Sequence, residues 1–146
     1  MSERISPIFT QRVVAHDDEI DELGHVSNVA IVRWIQNVAV AHSASVGWDF
    51  DAYRRHGAVF VVRRHEVDYL RPVLVGHEVV LETWIESWQA ASSIRCTRIT
   101  RGQDGGPVAT ARTQWVLVSA DNGRPRRIPP LIVSSFVRPD ESPPDG

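Results

Sequence analysis

Residues 28–47 read NVAIVRWIQNVAVAHSASVG, and the placing of their apolar side chains decides the fold. Val29, Val32, Ile35, Val38 and Ala39 recur at helical spacing, and Ala41 to Val46 carry the pattern on, for about five turns in all. Ser27 or Asn28 is placed to cap the start and Gly47 to stop the end. Ala30, Ile31, Trp34 and Val40 are apolar as well, so the hydrophobic surface extends well beyond one stripe. A helix of that kind has to be wrapped by other elements.

The wrapping material lies on either side of it. Ile8 to Ala15 alternates loosely and reads as a first strand. Downstream, Ala58 to Leu70, His77 to Trp88, Ser92 to Arg101 and Val108 to Ala120 are rich in β-branched and aromatic residues and read as four more. The connections at 71–76, 89–91, 102–107 and 121–125 are short and hold turn residues, which predicts an antiparallel meander. A helical turn is expected over Asp49 to Arg55, and the sequence turns proline-rich after Pro129. The resulting fold class is α+β: a five-stranded antiparallel sheet wrapped around a long central helix. Residues 1–137 are expected to form a single domain and 138–146 a flexible tail. Apolar edge strands favour pairing with a second copy, so a homo-oligomer is expected.

Composition narrows the chemistry. The chain has 146 residues with 18 acidic and 16 basic side chains, a net charge of −2, and every basic residue is Arg. Without Lys there is no Walker phosphate loop and no Schiff base chemistry. With Arg dispersed among acids, a nucleic acid partner is not expected. The lone Cys96 excludes an internal disulfide, and no Cys/His spacing matches a zinc site, so neither a metal nor a cofactor is predicted. The longest apolar run is Ala58 to Val62 and residues 1–15 hold no signal-peptide stretch, so the expected location is cytoplasmic, with no membrane partner.

The residues that carry chemistry stand just before the helix. Asp17-Asp18-Glu19-Ile20-Asp21-Glu22-Leu23-Gly24-His25-Val26-Ser27-Asn28 sets carboxylates, a glycine turn, a histidine and an amide beside a helix start. Unpaired N–H groups and the positive dipole end there can polarise a carbonyl oxygen, while a nearby carboxylate attacks the carbon or deprotonates water. The same acids also suit a solvated loop that complements the helix dipole.

Asp21 to Asn28, followed by Val32-Arg33-Trp34, resembles the Asp-x-x-Gly-His-Val-Asn-Asn signature of the 4-hydroxybenzoyl-CoA thioesterase-like acyl-CoA thioesterases, which have the hotdog fold. The resemblance continues in Val61 to Pro72, Gly76-His77-Glu78 and Gly123 to Pro129, and covers about residues 8 to 130. It implies hydrolysis of an acyl-CoA or acyl carrier protein thioester, with Asp21 as nucleophile or general base, a helix-start N–H at or next to Asn28 polarising the carbonyl, and His25 and Gly24 within the signature. It also implies a dimer or tetramer. Glu19 stands where the family more often has the first Asp of Asp-x-Asp, and Ser27 replaces the first Asn. After Trp88 comes Gln89-Ala90-Ala91 where some relatives have a basic run for the CoA phosphates. Arg63, Arg64 and Arg71 are then the expected carrier-binding residues, with Arg95 and Arg98 as further candidates.

Glu66 and Asp68 share a strand face, from which a carboxylate turned to the helix would be an alternative base; pairing with nearby Arg is the other reading. Cys96 reads as a small core residue, and Trp34 or Trp48 as acyl-pocket lining. No Gly-x-Ser-x-Gly elbow supports a serine hydrolase. A non-catalytic acyl-thioester binder of the same fold is the alternative, and a hydratase ranks below both for want of its Asp/His spacing.

Overall fold

The computed structural model describes residues 6–137. Strands β1 (Phe9–Val14), β2 (Ala58–Tyr69), β3 (Glu78–Trp88), β4 (Ser92–Arg101) and β5 (Pro107–Ser119) form one antiparallel sheet in the order β1-β3-β4-β5-β2. Helices are α1 (Asn28–Ser45), α2 (Phe50–Arg55) and α3 (Pro130–Ser135). The expected tail at 138–146 lies outside the described residues.

Every expected strand is present, but the meander is not complete. Only β3, β4 and β5 follow one another; β2 pairs with β5. Residues 70–77 therefore cross from the β2 edge to β3, held by Leu70 N–H to Val108 O (2.8 Å) and by buried Val73. Turn residues at 71–76 show where the chain changes direction, and which strand it joins next is decided by packing across the sheet.

Helix α1 begins as its cap predicts: Ser27 Oγ accepts from Ala30 N–H (3.1 Å). It ends at Ser45, with Gly47 at φ +95° turning the chain toward α2. Ala30, Ile31, Trp34, Ile35, Val38 and Ala39 face the sheet, and Ile35 and Val38 are fully buried against a core that includes Val79, Leu81 and Ile99. Each such aliphatic side chain contributes about 1.5–3 kcal/mol by leaving water. The wrapping is one-sided within this chain, since Val29 and Val40 on the opposite face are 69% and 55% exposed.

A second core joins Trp48, Tyr53, Leu117, Ile132 and Phe136. Part of its cover comes from α3 and its C-cap, an element absent from the sequence reading. Pro130 at the first helical position suits a helix start, and Ile132 and Phe136 are buried beneath α1 and α2. Outside the sheet, charges pair across strands: Arg12 with Glu78, Arg98 with Glu82, Arg112 with Glu86. Among the described residues, no helix is long and apolar enough to cross a membrane.

Candidate active site

The loop before α1 is built from its own carboxylates. Asp21 Oδ1 accepts from the N–H groups of Leu23 (2.9 Å) and His25 (3.3 Å), while its backbone N–H reaches His25 O (2.8 Å). Gly24 closes this turn at φ +81°, a conformation costly for any other L-residue, and donates to Asp21 O (3.0 Å). One oxygen of Asp21 is thus pinned by the turn, and the residue itself is exposed. The His25 ring is half-buried and makes no hydrogen bond to the described residues.

Four hydrogen bonds hold the loop in place. Ser27 N–H donates to Glu19 O (2.8 Å) and Val26 N–H to Val73 O (2.8 Å). Glu19 takes His16 N–H on one carboxylate oxygen (3.0 Å) and the Trp34 indole N–H on the other (2.8 Å). Glu19 is therefore an anchor, and Trp34 belongs to the core rather than to a pocket.

With Ser27 capping Ala30, the N–H groups of Asn28 and Val29 are left in the first turn without intrahelical acceptors. Asn28 and Val29 themselves border a groove of about 530 Å³, with Val32, Arg33, Gln36 and Tyr69. A carbonyl oxygen arriving there meets two donors and the positive end of an 18-residue helix, with Asp21 a few residues upstream in the same loop.

The arginines divide. Arg71 is exposed on the crossover that Val26 grips through Val73, so it belongs to this end of the molecule. Arg63 and Arg64 lie on β2, where Arg63 falls in a bulge between Val62 and Arg64. Tyr69 borders the groove, and Arg63 stands six residues back along the strand, about 20 Å away. Both therefore lie well back along β2 from the groove. Arg98 lies on the outer sheet face, bonded to Glu82 (3.0 Å) with its guanidinium over Trp84. Glu66 does not turn to the helix: it pairs with Arg64 (3.1 Å), while neighbouring Val67 packs into the core. Cys96 is buried opposite Trp84 and Arg112, on the strand face that alternation sets away from α1.

Arg95, a further carrier-binding candidate in the sequence, lies elsewhere. It is 4% exposed on the inner sheet face. Its Nη1 donates to His42 Nδ1 (2.8 Å) and Thr83 Oγ1 (3.2 Å). Guanidinium only donates, so His42 Nδ1 accepts and the imidazole proton sits on Nε2. Burial and then the Arg95 charge lower the His42 pKa to about 3, and the neutral ring stacks on Phe9 and meets Phe136 edge-on. Burial likewise lowers the Arg95 pKa to about 10, so it stays charged at neutral pH. Arg95 borders a second cavity of about 310 Å³, lined also by Trp48, Trp88, Trp115, Tyr53 and Phe136.

Comparison with known proteins places this arrangement. A 1,4-dihydroxy-2-naphthoyl-CoA thioesterase from Synechocystis superposes with a TM-score of 0.84 at 14% identity, over 92% of this chain and 98% of that one. A DHNA-CoA thioesterase from Staphylococcus aureus gives 0.77 at 18% identity, over 82% and 80%. An acyl-ACP thioesterase from Bacteroides thetaiotaomicron gives 0.76 at 18% identity, over 83% of this chain and 49% of its own length. At such identities these neighbours establish the hotdog fold alone. No curated protein matches the chain in sequence. The model of the thioesterase-like superfamily matches residues 14–136, which span the Asp21 loop, α1 and the whole of β2 to β5, and the chain therefore belongs to that superfamily of thioester hydrolases.

Proposed function

We propose that the chain hydrolyses an acyl thioester of coenzyme A or an acyl carrier protein, with Asp21 activating the attack and the Asn28 and Val29 N–H groups holding the carbonyl oxygen. The observation that carries the reading is the 21–28 turn itself, which sets an exposed carboxylate and two free helix-start donors on one short, anchored loop. In the general-base route, water oxygen adds to the carbonyl carbon as its proton passes to Asp21. The negative charge that develops on the carbonyl oxygen is met by the two N–H groups. The C–S bond then breaks and the proton follows the departing thiolate. In the nucleophilic route, the Asp21 carboxylate adds to the carbonyl carbon, the C–S bond breaks and the thiolate leaves; water then hydrolyses the anhydride, which releases the acid, regenerates the carboxylate and supplies the thiol proton.

Gly24 and the His25 backbone shape the turn in both routes. Arg71 holds the thiol carrier from the same chain, and Arg63 and Arg64 hold it from a neighbouring one. This last assignment requires a homodimer, for which the open β2 edge and the exposed Val29 and Val40 on α1 are the support. A fully active monomer by light scattering removes it.

The test is thiol release from short, medium, long and aromatic acyl-CoAs by wild type and Asp21→Asn. An Asn at 21 still offers its Oδ1 to the Leu23 and His25 N–H groups, so the turn survives while the charge and basicity go. Turnover should fall about 10²–10⁴-fold. Turnover within a few-fold of wild type overturns the role of Asp21, and binding without hydrolysis of any thioester indicates the non-catalytic acyl-thioester binder instead.

A further inference from the structure

The cavity that Arg95 borders stands apart from the Asp21 loop. Ala39, on its wall, lies eleven residues along α1 from Asn28, about 16 Å at helical rise. Its rim carries Val40, Phe50 and Val61, which are 55%, 62% and 42% exposed in the single chain, so the mouth is apolar; Val40 and the β2 edge also support the proposed homodimer, which sets the mouth beside that interface. The interior is aromatic, and its volume of about 310 Å³ suits one small molecule.

Arg95 does not fit that interior as a structural residue would. Of the five guanidinium N–H donors, the two on Nη1 are taken by His42 and Thr83. Those on Nε and Nη2 have no acceptor among the described residues, and no carboxylate among them pairs with the charge. The hydroxyls nearby do not compensate. Ser43 gives its proton to Trp48 O (2.7 Å), so Tyr53 must donate to Ser43 (2.6 Å); Thr83 gives its proton to Cys96 O (2.8 Å). The Phe136 ring, 5.9 Å from the guanidinium carbon, faces the charge, but a cation–π contact leaves the Nε and Nη2 donors unused. A buried cation without a counter-ion is costly, and an anion entering the cavity would offset that cost with charge-assisted hydrogen bonds. The Trp115 indole N–H, on the same wall, is also buried without an acceptor among the described residues.

We infer that this cavity is a binding site for a carboxylate carried on an apolar body, with Arg95 as the group that recognises the anion and Trp48, Trp88 and Trp115 as the walls that hold the body. The carboxylate has two possible sources, the far end of an acyl group and a free carboxylic acid. The first rests on the thioesterase reading and the second does not.

Three tryptophans on the wall make intrinsic fluorescence the readout. Wild type is titrated with decanoate and 2-naphthoate, and with the neutral decanol and methyl 2-naphthoate. The acids should bind roughly tenfold or more tighter than their neutral counterparts. Arg95→Met, which keeps length and apolar volume, should bring the pairs to within about twofold, and Arg95→Lys should restore part of the preference. The Met variant removes the buried charge but also leaves His42 Nδ1 without its donor, so circular dichroism is recorded first to establish that it is folded at the titration temperature. Hydrolysis of ω-carboxydecanoyl-CoA against decanoyl-CoA separates the sources: a preference for the former that Arg95→Met abolishes assigns the far end of the acyl group. Acid binding with no such preference assigns a free acid. Equal binding of acids and neutral analogues by wild type, or an acid preference that survives in Arg95→Met, overturns the proposal. Because the fluorescence titration needs no turnover, its result stands whether or not the thioester is cleaved.

Discussion

Removing the Glu19 side chain tests whether the Asp21 loop is held in the way the structure describes. In Glu19→Ala the Trp34 indole N–H, on a side chain only 5% exposed, loses its acceptor, and the 3-10 turn at 17–19 loses the carboxylate that accepts from His16 N–H. A buried donor left unsatisfied costs about 1–3 kcal/mol, and the lost turn cap adds about 1 kcal/mol. The sum is about 2–4 kcal/mol, and at about 3–4 °C per kcal/mol for a chain of this size it lowers Tm by roughly 6–16 °C. Glu19→Gln should lose much less, since the amide oxygen can serve Trp34 and water can serve the exposed His16 N–H. Thermal unfolding followed by circular dichroism reads both variants, and thiol release reads their activity. A Tm for Glu19→Ala equal to wild type refutes the anchoring argument. Abolished turnover in a fully stable Glu19→Gln would show instead that Glu19 is the base.

Gly24→Ala places a Cβ in open space but at φ +81°, so the expected loss is the backbone strain of about 1–2 kcal/mol and a lower kcat from a shifted Asp21; unchanged Tm and kcat would show that the turn relaxes freely. His42 gives stability a pH dependence: its folded pKa of about 3 lies below the ordinary 6.5, so between these values the unfolded chain binds the extra proton. Stability should therefore fall as pH drops from about 6.5 toward 3, by up to about 1.4 kcal/mol per pH unit, and denaturant titrations of His42→Gln should show a flatter profile over that window. An equally steep profile in the variant would assign the acid sensitivity elsewhere. Single-turnover hydrolysis in H₂¹⁸O tests the nucleophilic role of Asp21: an unlabelled first product with label in the protein identifies an anhydride opened at the Asp21 carboxyl carbon, and label in the first product places water attack at the acyl carbon.

The site loop was legible because its chemistry is local. Asp21, Gly24 and Ser27 make a side-chain turn, a positive-φ turn and a helix cap with partners no more than four residues away, so a short stretch of sequence contains the whole device. Glu19 was read as a departure from a motif, and its partner Trp34 lies fifteen residues on, two turns into the helix, where spacing gives no sign of a bond. Arg95 was unreadable for a related reason. In Ser92-Ser93-Ile94-Arg95-Cys96 no apolar alternation marks the inner face, and the residue lies there only because the β3–β4 and β4–β5 registers set it between Ile85 and Thr113.

By itself the sequence determined where each strand and the long helix run, because periodicity, turn residues and caps are properties of neighbouring residues. It also held the identity of the Asp21 turn. Only the tertiary structure decided that β2 lies beside β5, that α3 closes the second core, that Glu66 faces outward, and that one charged arginine is buried in an aromatic cavity. Those outcomes depend on which surfaces meet across the sheet. That choice is settled by burying apolar area and pairing backbone groups between segments distant in the chain, and no local pattern records it.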